Sequence, residues 1–209
     1  VLNSTRLVCP RVFALRTIKL PLSREIKQRR DLPVASLSFP LVLVGYMAAG
    51  KTTLGNLLAK HLNREFFDLD ALIERDFQQS LAKIWEEHGE QIFRQAESEH
   101  LHQLLRTRHE AVLATGGGVV LNVANRALLK THAWSVFLDP PFADLCRRIR
   151  AQPGLRPLAD VRNDEELEKH WKGRLSLYSQ VARLHLTGAD TPQDYAKKIL
   201  EWLKKEPTK

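Results

Sequence analysis

Apolar residues along the chain fall into two kinds of pattern. Short, nearly unbroken runs at Leu41-Val-Leu-Val44, Ala111-Val-Leu-Ala114 and 134–138 have the length and composition of strands buried on both faces. A run over about 65–69, ending in Asp68-Leu69-Asp70, and another over 183–187 read as two further strands. Between them the spacing becomes helical. Leu54, Leu57, Leu58 and Leu62 share one face of a helix that starts near Lys51. Ser80 is placed to open a helix over 81–88 that Gly89 closes, and a longer helix follows over about 90–108. Further helices are predicted over 142–150 and from about 164. Thr191-Pro192 opens a terminal helix with Tyr195, Ile199, Trp202 and Leu203 on its apolar side. Strands alternating with helices predict a parallel sheet covered on both sides, a three-layer α/β/α arrangement in one domain over 37–209. Residues 1–36 show neither period, carry Pro10, Pro21 and Pro33, and read as a basic, poorly ordered extension.

The break between the first strand and the first helix carries the strongest chemistry. Gly45-Tyr-Met-Ala-Ala-Gly50-Lys51-Thr52-Thr53 is a phosphate-binding loop in the context such a loop needs. Its amide groups converge on phosphate oxygens at a helix N-terminus. Ala48, Ala49, Gly50, Lys51, Thr52 and Thr53 are therefore expected to cradle a nucleoside triphosphate. Lys51 would reach the β and γ phosphates, and the Thr52 hydroxyl would bind Mg²⁺.

Other groups have a functional and an ordinary reading side by side. Asp68 and Asp70, two apart in an extended segment, would point the same way roughly 7 Å from each other, one for Mg²⁺ and one for an acceptor hydroxyl; the same pair also suits helix capping. Arg94 and Glu97 lie three apart on one helical face, the usual spacing of a surface ion pair. Gly116, Gly117 and Gly118 follow a strand at the sheet end where open α/β folds bind ligands, and they leave backbone amides uncovered. Residues 151–163 hold Arg156, Pro153 and Pro157 without helical period, and read as a mobile lid or a plain surface loop.

Charge and cysteine content restrict the alternatives. Residues 1–36 carry +6 of the net +8, so the remainder is nearly balanced and a nucleic-acid role would rest on the extension alone. Low acid content there also suits a transit peptide, and a start placed too far upstream is a third reading. Cys9 and Cys146 form neither a disulfide framework nor a metal site, which fits a reducing compartment. No apolar run is long enough to span a bilayer.

Taken together, the phosphate loop, Asp68-x-Asp70 with Ile73-Glu74, Phe93-Arg94-x-x-Glu97, Thr115-Gly-Gly-Gly, Arg156-Pro157-Leu158 and Arg174-x-x-x-Tyr178 resemble the shikimate kinase family over about 41–203. The resemblance implies a P-loop, nucleoside-monophosphate-kinase-like fold with strand order 2-3-1-4-5, so that the Asp68 strand is not beside the first. It implies ATP-dependent phosphorylation of the shikimate 3-hydroxyl in the chorismate route. Carried onto this chain, Asp70, Arg94, Gly116, Gly117, Gly118 and Arg174 would hold shikimate, Glu97 would orient Arg94, and Asp70 would be the base. Asp68 and Thr52 would serve Mg²⁺; Arg150 would lie near the adenine, and Arg156 would enter from the lid. Ala48 and Leu69 depart from the residues the family often has there. A monomeric cytoplasmic enzyme acting on a small molecule, without nucleic-acid or membrane partners, is expected, with a plastid as the alternative compartment. The competing readings are a gluconate or nucleotide kinase and a catalytically silent nucleotide-binding module.

Overall fold

The computed structural model describes residues 39–151 and 163–206. Five strands form one fully parallel sheet in the order β2-β3-β1-β4-β5: β1 (Leu41–Gly45), β2 (Glu65–Asp68), β3 (Ala111–Ala114), β4 (Trp134–Asp139) and β5 (Leu184–Thr187). Leu41 pairs with Val112 on one side and Trp134 on the other, so β1 is central and buried throughout. Its unbroken apolar sequence follows from having helices over both faces. The helices are α1 (Lys51–Leu62), α2 (Leu69–Phe77), α3 (Leu81–Thr107), α4 (Val123–His132), α5 (Phe142–Arg150), α6 (Asp164–Val181) and α7 (Pro192–Leu203). α1 packs with α7, whereas α3 and α6 each pack against α4. No described helix is long and apolar enough to cross a membrane.

Most boundaries follow local chemistry. Ser80 Oγ accepts from the Lys83 amide to open α3, and Gly89 interrupts that helix with φ 78° and ψ 170°, dividing it where the glycine predicts. Thr191 and Asp194 form a reciprocal capping box with Pro192 in the first turn of α7.

Two expectations need correction. The extended reading of Asp68-Leu69-Asp70 fails because β2 stops at Asp68, whose Oδ1 accepts from the amides of Asp70 (3.0 Å) and Ala71 (3.4 Å). Asp70 thus lies in the first turn of α2. Helix α4 was not anticipated, because its buried positions are Asn125 and Leu129, too weak an apolar stripe to register.

A satellite core of Ile73, Ile84, Phe93 and Ala96, flanked by Phe77, Leu81 and Trp85, joins α2 to both parts of α3. Glu74 Oε1 accepts from the Leu81 amide across the connecting turn (3.0 Å), and His100 bridges Asp76 and the Ala96 carbonyl. This unit stands over the carboxyl ends of β2 and β3 and sets where its polar side chains point.

At the carboxyl end of β1, Gly45 has φ +147°, and a Cβ there would lie 2.5 Å from the Leu138 carbonyl oxygen of β4. A backbone atom cannot swing aside, so Gly45→Ala should cost about 2–4 kcal/mol. Urea unfolding of the two proteins measures this, and equal midpoints would show that the strands separate at no cost.

Candidate active site

The two ends of the phosphate loop fix its course. The loop leaves β1 at Gly45 and enters α1 through Gly50, with φ 95°. Ala48 lies between them at φ 61°, a left-handed conformation in which glycine carries no Cβ penalty. The alanine therefore adds strain to the loop without changing the chemistry it offers. Lys51 is buried, and its Nζ donates to the carbonyls of Gly45 (2.9 Å) and Tyr46 (2.7 Å). Beside it, Thr52 Oγ1 donates to Asp68 Oδ2 at 2.6 Å. A threonine hydroxyl and a carboxylate at the mouth of a phosphate loop form a hard-oxygen pair of the kind Mg²⁺ takes together with phosphate oxygens and water.

A second polar group lies across the cavity from this pair. Arg94 Nη1 donates to Glu97 Oε2 at 2.8 Å, its Nε reaches Glu90, and its guanidinium lies over the rings of Trp85 and Phe93. Arg174 of α6, only 7% exposed, donates to the Gly117 carbonyl at 3.2 Å, and the Tyr178 hydroxyl donates to the same oxygen. The aromatic faces and the carboxylate hold one guanidinium; a backbone carbonyl and burial hold the other.

The triple glycine is required by close approach. A Cβ on Gly116 would lie 2.4 Å from Glu97 Oε1 and 2.8 Å from Asp70 Oδ1, and one on Gly118 would lie 2.0 Å from Arg94 Nη1. Two carboxylates and a guanidinium therefore rest directly on the backbone. Glu97 Oε1 has no hydrogen-bond partner among the described residues.

Burial raises the pKa of Asp70 to about 7, and the negative charges of Asp68 and Glu97 push it the same way against Lys51. Glu97 is also raised by burial, opposed chiefly by Arg94.

Lys51, Thr52, Asp68, Asp70, Arg94 and Glu97 line one cavity of about 690 Å³. Ala48, Ala49, Gly50 and Thr53 line it on the loop side, with Gly116, Gly117, Gly118 and Arg174 beneath the second group. Arg156 and most of 151–163 lie outside the described residues. Arg150 does not line the cavity: it is half-exposed and donates to Asp164 at 2.7 Å. Arg148 lines the cavity and donates to the Ala48 carbonyl at 3.2 Å. The sequence held a signal for the placement of Arg148, because Leu145 and Ile149 mark the buried stripe of α5 and Arg148 borders it. Trp85, Asp190 and Tyr195 also line the cavity without having been anticipated.

The shikimate kinase family model matches residues 47–204. The chain belongs to the shikimate kinase family. It is 41% identical to the shikimate kinase of Thermosynechococcus vestitus over 165 residues, which cover 78% of this chain and 88% of the relative. It is 42% identical to that of Nostoc punctiforme over 166 residues, covering 77% and 88%. The shikimate kinase from Acinetobacter baumannii in complex with shikimate superposes with a TM-score of 0.78 at 36% identity, covering 83% of this chain and 97% of that one. A gluconokinase from Sinorhizobium meliloti, 15% identical with a TM-score of 0.52, shares the fold alone. The observed strand order is the one the shikimate kinase resemblance implied.

The raised Asp70 pKa has a consequence for stability. The folded state holds the Asp70 proton more tightly than the unfolded state does. That contribution is present in acid and disappears as pH rises from the unfolded value of 3.8 through the folded value of about 7. Asp70→Asn should therefore stabilise the ligand-free protein at pH 8 by a few kcal/mol, at about 1.4 kcal/mol per pK unit, and make almost no difference at pH 4. Thermal melts of both proteins across this range test it, and a gain that is independent of pH would refute it.

Proposed function

We infer that the protein transfers the γ-phosphoryl group of ATP to the 3-hydroxyl of shikimate, giving shikimate 3-phosphate and ADP. The observation that carries this reading is the pair of held guanidiniums, Arg94 and Arg174, beside a glycine floor and opposite a phosphate loop in one cavity. Guanidinium forks bind a carboxylate through two hydrogen bonds, so the pair suits a small carboxylic acid better than a nucleobase. This separates shikimate from a nucleoside monophosphate. Sequence identity separates it from gluconate, since the gluconokinase neighbour shares only the fold.

The residues divide the task. The amides from Ala48 to Thr53 hold the phosphates, and Lys51 leaves its two loop carbonyls to neutralise the transferring group. Thr52 and Asp68 would hold Mg²⁺, which supplies further charge neutralisation when bound. Arg94, oriented by Glu97, and Arg174 clamp the acceptor carboxylate, while the backbone of Gly116, Gly117 and Gly118 supports the ring. Asp70 accepts from the ring hydroxyls and takes the proton of the attacking one, a role that suits a carboxylate titrating near neutrality. Arg156, carried over from the family resemblance, would add positive charge to the transferring group. Transfer is direct and in line, without a phosphoenzyme, and positioning supplies much of the acceleration.

Residues 1–36, which carry a net charge of +6, lie outside the described residues. A monomer in the cytoplasm is the expected arrangement, with a plastid the alternative if residues 1–36 are a transit peptide.

ADP release from MgATP, followed with shikimate, gluconate, a nucleoside monophosphate or no acceptor, is expected to depend on shikimate. Lys51→Met should abolish it with the fold retained; turnover at the wild-type rate would remove Lys51 from the mechanism. Arg94→Ala should raise the KM for shikimate by roughly 10- to 100-fold, the scale of one charged hydrogen-bonding partner. An unchanged KM would take Arg94 out of the clamp.

A further inference from the structure

Tyr46 follows Gly45 at the start of the phosphate loop, and its side chain is 1% exposed. Its hydroxyl is hydrogen-bonded to His170 Nδ1 of α6 at 2.6 Å, and the two rings meet edge to face with centroids 5.6 Å apart. On the same helix Arg174 and Tyr178 donate to the Gly117 carbonyl of the glycine floor. Positions 170, 174 and 178 are four apart, so they form one stripe along α6. One rigid helix thus touches the donor loop through its first contact and the acceptor floor through the next two. The Lys51 ammonium lies on the Tyr46 carbonyl, so a shift of Tyr46 is passed to the groups around the phosphates.

We propose that His170 is a positioning residue for phosphoryl transfer, fixing the phosphate loop to the acceptor-binding helix through the Tyr46 hydroxyl. Neither side chain need touch a substrate. The bond sets the distance between two separately bound reactants, a quantity to which transfer rates are steeply sensitive and binding constants are not. It rests on the assignment of Arg174 and Gly117 to the acceptor site.

Single-turnover transfer rates separate this role from a general structural one. Tyr46→Phe deletes one oxygen and should slow transfer about three- to tenfold, the range of one part-buried hydrogen bond, while the Kd values for ADP and shikimate stay within twofold. His170→Ala should slow it to a similar extent, and the double variant no further. His170→Asn, which places a hydrogen-bonding atom near the position of Nδ1, should recover most of the rate. Additive losses, an unchanged rate in Tyr46→Phe, or a loss confined to substrate affinity would overturn the proposal. If His170→Ala does not fold, Tyr46→Phe still decides between these outcomes. Wild-type protein run in parallel separates the two claims: absence of shikimate-dependent transfer there would strike the acceptor assignment, and not the loop contact.

Discussion

One carboxylate holds the two sides of the site in register. Asp68 Oδ1 accepts from the amides of Asp70 and Ala71, which ends β2 and opens α2; its Oδ2 accepts from Thr52 Oγ1 at the start of α1. β2 and β1 are not neighbours, because β3 lies between them. The Asp68–Thr52 hydrogen bond therefore spans the sheet above β3, and it brings the α2–α3 unit to a fixed place over the phosphate loop. Capping and metal-binding readings of this aspartate are compatible, since each uses a different oxygen.

The same geometry explains why charged groups are buried so densely. Asp70 and Glu97 both lie close against Gly116, where a Cβ would meet each carboxylate. Burying two carboxylates together is unfavourable, and here the cost appears as raised affinity for protons. Arg94 offsets part of it through Glu97, and Lys51 offsets part through its charge near Asp70. The hydroxyls of a bound shikimate would add hydrogen-bond partners, so the site would gain stabilisation on binding that the protein alone lacks. This is the expected direction for a site organised around its ligands.

Much of this was legible in the residues because local and tertiary demands coincided. The unbroken apolar runs, the glycine-lysine-threonine loop and the Ser80, Gly89 and Thr191-Pro192 boundaries each have a local cause. The chemistry at Asp70, Arg94, Glu97 and the triple glycine was visible as residue types, but only the family resemblance joined segments so far apart in the chain. What was missed depends on helix phase and on long-range contact. Arg148 and Arg150 are equivalent as letters, and the buried stripe of α5 alone distinguishes them. α4 escaped notice because a buried asparagine holds the Val119 carbonyl and Ser98 where an apolar residue would have given a helical period. The extended Asp68–Asp70 reading failed because a side-chain cap overrode strand continuation by two residues.

In the proposed reaction this cavity fixes one hydroxyl of a carboxylated ring in line with the γ-phosphate. Phosphorus and proton NMR of the product formed from MgATP and shikimate tests it most directly. A single monophosphate carrying its phosphoryl group on the 3-oxygen is expected. A mixture of positions, transfer to another hydroxyl, or free phosphate without a phosphorylated ring would contradict it.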